Sequence, residues 1–272
     1  DIDRVIPGYT FTNADIGKTV GIKGPGVGSD TGVFSTTAND GVLVATIVSV
    51  SGGSAVLSTT ATQACSGLCP WVCGFNNDAA VAAAVAQCTA DYAVDGVAGE
   101  ITFPGGDFIV SASSPTSSGV SYGAKRRDNT RVFVVKITAD ADNTAASSWV
   151  RRAAASVRYN HLSITQLTLV GTFLAASSAY GSDMKMIHMD TTDSSSVTWC
   201  RIVDNPSTAL GYDDSTNCEL AHNIIIRAGR LARPGTSGSS GGAGGSAIGV
   251  ALGADNVSMW IHHNRLIGSL AS

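Results

Sequence analysis

Three stretches decide the fold: VTWCRIV (Val197 to Val203), LAHNIII (Leu220 to Ile226) and IHHNRLI (Ile261 to Ile267). Laid over one another, they place Cys200, Asn223 and Asn264 in one column. Val197, Leu220 and Ile261 form a second, and Ile202, Ile225 and Leu266 a third. The step from Cys200 to Asn223 fits one coil of a repeat of about 20 to 25 residues. The step from Asn223 to Asn264 returns to that length once Arg230 to Ser246, almost entirely Gly, Ser, Ala, Pro and Arg, is set aside as an inserted loop. An earlier copy, ITQLTLV (Ile164 to Val170), is read as adding Gln166 to the first column.

Such a repeat predicts parallel strands stacked coil on coil. The two apolar columns point inward to fill the interior. Gln166, Cys200, Asn223 and Asn264 become a ladder at a bend, where stacked amides pair with one another and with turn backbone that would otherwise be buried unpaired. MKMIHMDTTD (Met184 to Asp193), TALGYDDST (Thr208 to Thr216) and IGVALGADN (Ile248 to Asn256) supply the remaining strands of a three-sided coil. Cys200 and Cys218 fall about five extended residues apart in this register, roughly 15 Å, and are expected to stay unbonded. The last strand is expected to leave an apolar end that further coils or a partner subunit would cover.

Composition agrees with an all-β chain. Of 272 residues only 14% are charged, while 31 are Gly, which disfavours disorder and coiled coil and favours short strands joined by tight turns. A net charge of −4 offers a phosphate backbone no broad attraction, so nucleic acid is not an expected partner. The apolar run Ala79 to Ala86 is far short of the roughly 18 residues of a membrane span. Cys65, Cys69, Cys73 and Cys88 lack the paired spacing of zinc sites; local disulfides are the expectation, with free buried thiols as the alternative.

Residues 1–70 alternate apolar runs (Thr19 to Ile22, Val42 to Val50, Ala55 to Leu57) with the turn signals Gly24-Pro25-Gly26, Asn39-Asp40-Gly41 and Gly52-Gly53, predicting a small β module. A helix is predicted from about Asp78 to Ala90, capped by Asn77, with Val81, Val85 and Cys88 on one face. GEITFPGGDFIV (Gly99 to Val110) follows as two strands broken at Pro104-Gly105-Gly106.

GFNNDAAVAAAVAQC followed by GEITFPGGDFIVSA resembles the opening segment of pectate-lyase-superfamily right-handed parallel β-helices, in which a short helix caps the first coil. FTNADIGKTV followed by LVATIVSVSGGSAVLSTTAT resembles the module that precedes it in bacteriophage tail spike and tail fibre proteins. The resemblance covers about 75–272 for the β-helix and about 9–64 for the leader; Gly74-Phe75-Asn76-Asn77-Asp78 matches the family's usual Gly-Asp-Asp opening only in type. It implies a single-stranded right-handed β-helix over 75–272 behind a β module over 1–70. It also implies a tail component that recognises host cell-surface polysaccharide, contacts other phage tail proteins, and assembles as a homotrimer on the virion.

A β-helix binds sugars on its outer wall. In the repeat register Asp190 lies over Asp213, and Asp214 over Asp255, each one strand spacing of about 4.8 Å apart. Paired carboxylates could supply the general acid of glycoside cleavage or hold a calcium ion, whereas turn-filling aspartates are the plainer reading. No cofactor is required. His188, Lys185 and Tyr212 on the same wall could contact saccharide, and Lys185 or Arg227 could stabilise the anion of a lyase reaction; a solvated face is the plainer reading. Trp199, His222 and His263 form an outward column suited to sugar CH surfaces, an ordinary surface turn being the plainer reading. His262 and His263, being adjacent on a strand, are expected to face apart and not to share a metal. Signatures of zinc proteases and nucleotide binding are absent. The expected function is therefore glycan recognition by a phage tail, with or without cleavage; the alternatives are a secreted polysaccharide lyase or hydrolase and a non-catalytic rod or adhesin.

Overall fold

The β-branched runs between the N-terminal turn signals form antiparallel strands. Thr19–Lys23 pairs with Val42–Ser51, which turns through Gly52 and Gly53 into Ser54–Leu57. Both glycines have positive φ, 58° and 82°, as a two-residue hairpin turn requires. The computed structural model describes residues 9–23, 42–60, 71–111, 114–115, 118–135, 150–151, 159–172, 186–190, 192–205, 209–213, 215–228, 247–251 and 258–268. Gly24-Pro25-Gly26, Asn39-Asp40-Gly41, Cys65, Cys69, Lys185, Asp214, Asp255 and the Arg230 to Ser246 stretch lie outside them. A fourth strand, Trp71–Gly74, completes the antiparallel sheet against Thr19–Lys23.

One helix follows, α1 (Asp78–Asp95), more than a turn longer than its sequence pattern suggests. It stops where Gly96 takes a left-handed φ of 70° and its N–H bonds to the Tyr92 carbonyl. Val81, Val85 and Cys88 are buried against Phe103, Val110 and Val120, so α1 closes the interior of the first turn of chain. Asn77 occupies the N-cap position without a side-chain cap bond. Its Nδ2 donates to the Phe75 carbonyl, and it is Asn76 Oδ1 that accepts the Asp78 N–H.

Three parallel walls come next. The first takes one strand from each turn: Gly99–Phe103, Val120–Ala124, Ser163–Thr165, Ser196–Thr198, Glu219–Ala221 and Trp260–His262. The second is Gly106–Val110, Thr130–Val134, Thr168–Val170, Arg201–Val203, Ile224–Ile226 and Arg265–Ile267. The third is Ser114–Pro115, Val150–Arg151, Ile187–Asp190, Leu210–Asp213 and Ile248–Ala251. Each strand bonds to its counterpart one turn earlier and one turn later, which is compatible with a parallel β-helix.

Alternation along each strand fills the interior. Tyr122, Ile164, Val197 and Leu220 stack from the first wall, Val132, Leu169, Ile202 and Ile225 from the second, and Ile187, Met189, Leu210 and Tyr212 from the third, all with no exposed surface. Ile261 and Leu266 continue two of these columns but are 47% and 50% exposed on the last described turn. Cys73, Cys88, Cys200 and Cys218 are not disulfide-bonded, so the local disulfides expected of the cysteine cluster do not include Cys73 or Cys88. Burial pushes the Cys200 thiol up to about 12.

Candidate functional site

The bend between the first and second walls organises the outer surface. Thr165 pairs with Thr198, Thr198 with Ala221 and Ala221 with His262, so the next residue of each turn, Gln166, Trp199, His222 and His263, occupies one column. All four adopt left-handed backbone, with φ of 55°, 57°, 58° and 53°. That conformation costs about 1 kcal/mol or more in a non-glycine residue. Here it recurs because it keeps the stacked bonding intact through the corner: Gln166 N–H donates to the Thr198 carbonyl, Trp199 N–H to Ala221 and His222 N–H to His262.

The following residue turns inward. Asn223 Nδ2 donates to the Val197 carbonyl at 2.8 Å, and its Oδ1 accepts the Cys200 N–H at 2.9 Å. Asn264 repeats the pattern one turn on, Nδ2 donating to the Leu220 carbonyl and Oδ1 accepting the Asn223 N–H. Gln166 is not in this column. The register places Leu167 there, fully buried, one turn from Cys200, because aligning Ser163–Thr165 with Ser196–Thr198 sets Gln166 beside Trp199. With its amide nitrogen turned toward them, Gln166 can donate to the carbonyls of Ala124 and Lys125, each 3.1 Å away.

Outside the bend the rings stack. Trp199 and His222 lie with centroids 4.1 Å apart and planes 6° from parallel; His222 and His263 follow at 4.9 Å and 10°. Trp199 keeps half of its surface exposed. No family model, curated protein or solved structure matches the chain. The flanking strand adds Glu219, whose Oε1 lies 3.0 Å from His262 Nε2, and Trp260, 67% exposed.

His262 and His263 do not face apart. The strand ends between them, and the left-handed turn at His263 swings its ring back until the two Nδ1 atoms are 2.7 Å apart. Alternation governs only continuous strand: His263 stands in the bend column with Trp199 and His222, whereas His262 belongs to the wall.

The remaining candidates sit elsewhere. Asp190 pairs with Asp213 and His188 with Gly211 on the third wall. Tyr212, expected to contact saccharide, is instead fully buried, because it lies two residues along the strand from inward Leu210. Burial holds its hydroxyl well above the usual phenol range. Arg227 belongs to the bend between the second and third walls, where its Nε and Nη2 both donate to the carboxylate of Asp204 one turn below. That hydrogen bond raises the Arg227 pKa and commits the guanidinium to a structural partner. Asp193 is likewise engaged by Thr216 Oγ1 and Asn217 Nδ2, which hold its carboxyl below the ordinary value.

Proposed function

We propose that this chain is a right-handed parallel β-helix serving as a bacteriophage tail spike or tail fibre component that recognises host cell-surface glycan. The observation that carries the reading is the exposed Trp199 stacked on His222, which stacks in turn on His263, at an outer bend. A flat aromatic surface held at a rigid corner suits the CH face of a sugar, and ring stacking immobilises it before any ligand arrives. The three parallel walls fit the resemblance seen in GFNNDAAVAAAVAQC and GEITFPGGDFIVSA. The antiparallel N-terminal sheet takes the role of the tail-attachment module, and packing of three chains side by side follows from the same resemblance.

Immobilised bacterial surface polysaccharides test this directly. The intact protein should bind at least one of them, and Trp199→Ala should weaken that binding by about tenfold or more, equivalent to about 1.4 kcal/mol. Undiminished binding in the variant would remove the bend from the recognition surface. An antibody to the chain that fails to detect it in purified virions would remove the tail assignment.

Cleavage of the bound glycan is a second reading, favoured by the register that pairs Asp190 with Asp213. New reducing ends or unsaturated uronate, lost in Asp190→Asn, would establish it. Binding without product leaves recognition as the whole function.

A further inference from the structure

We infer that His222, His262 and His263 bind a late first-row divalent metal ion of the zinc class, independently of any glycan. One ring nitrogen from each lies within 4.8 Å of the others, and the three come from two successive turns, so the stacked walls fix their separation. Neutral imidazole nitrogens are ligands for zinc, copper and nickel, not for calcium, which takes oxygen.

Two observations show that the nitrogens are prepared for a cation. A carboxylate can only accept, so the 3.0 Å contact between His262 Nε2 and Glu219 Oε1 places the His262 proton on Nε2 and leaves Nδ1 as an acceptor. That nitrogen accepts the His263 Nδ1–H at 2.7 Å; a metal would take the place of this proton, which moves to His263 Nε2, and the two nitrogens would part to the roughly 3.3 to 3.4 Å that tetrahedral bonds of about 2.0 to 2.1 Å require. Glu219 thus stands as the carboxylate that orients a metal-binding histidine and raises its basicity. His222 completes the set, its ring held between Trp199 and His263. Three protein ligands on an exposed bend leave coordination positions open to water.

Calorimetric titration of the intact, chelator-treated protein with zinc chloride tests the site, with cobalt absorption bands as a second readout. A single-site isotherm is expected, lost in His262→Ala and in His263→Ala, weakened about 10- to 100-fold in Glu219→Gln, and unchanged in His188→Ala. Since His263 is exposed, its variant should keep the wild-type circular dichroism even if a change at the half-buried His222 disturbs folding. Absence of binding, or binding unaffected by the His262 and His263 variants, overturns the assignment. Zinc binding in a chain that captures no glycan upholds it and counts only against the recognition proposal.

Discussion

Asn223 and Asn264 are locked together across one turn: the Asn223 backbone N–H and side-chain Nδ2 both donate to Asn264 Oδ1 at 3.0 Å. With its further bonds to Val197 and Cys200, the Asn223 amide serves backbone groups buried in the interior. Asn223→Ala leaves a buried N–H and a buried carbonyl unpaired, each costing about 1 to 3 kcal/mol. The expected loss is therefore about 2 to 6 kcal/mol, seen as a lower urea midpoint at unchanged slope. A loss below about 0.5 kcal/mol would show that the ladder is incidental.

Gly119 lies beneath α1 with φ of 74°, and a Cβ there would come 2.1 Å from Tyr92 Cγ. Gly119→Ala should cost about 2 to 5 kcal/mol, from overpacking of about 1 to 3 kcal/mol and left-handed strain of about 1 to 2 kcal/mol. Adding Tyr92→Ala to that variant should cost less than Tyr92→Ala alone in the parent, because the clash is relieved. Additive losses in this double-mutant cycle would contradict the close approach.

The buried hydroxyl of Tyr212 has no hydrogen-bond partner among the described residues. Tyr212→Phe removes an unsatisfied polar group at constant shape, so stability should hold or rise by up to about 2 kcal/mol. Glycan binding should not change. Weaker binding in this variant would mean that the side chain reaches the surface.

Asp15 is engaged by Lys18 Nζ at 2.6 Å, the Thr12 N–H at 2.8 Å and the Tyr9 hydroxyl at 3.0 Å, and its carboxyl is held down to about 2 from an ordinary 3.8, chiefly by Lys18. Because the folded value is the lower one, the stabilisation is complete above about 3.8 and is lost as pH falls toward 2. Trp71 reports on the region through its edge contacts with Tyr9 and Phe11. Its emission should change between pH 4 and 2, and Asp15→Asn should flatten that change. An identical acid transition in the variant would assign it to another carboxylate.

The stack was legible where the sequence repeats without interruption. Val197 to Val203 and Leu220 to Ile226 are separated by one uninterrupted turn, so their apolar columns could be laid together and are buried together. Gln166 was misplaced because amide chemistry outweighed register: Leu167 fills the ladder position with an apolar side chain, and only the alignment of the Thr165 and Thr198 strand ends reveals it. Tyr212 was legible, since it shares strand parity with Leu210, yet its hydroxyl suggested the surface. The convergence of His262 and His263 was not legible from periodicity, because the bend that produces it falls between two adjacent letters. The pairing of Arg227 with Asp204 required knowing that both occupy the same corner one turn apart.

Left-handed corners recur at His161, Gln166, Ser194, Trp199, Asp204, Asn217, His222, Arg227, Ser258 and His263. Residues as unlike as serine, tryptophan and arginine accept the same backbone there, so neighbouring strands impose the geometry whatever the side chain prefers. The displayed chemistry can then change one corner at a time while the stacked walls keep their skeleton. Randomising such positions would yield a family of surfaces on a constant frame.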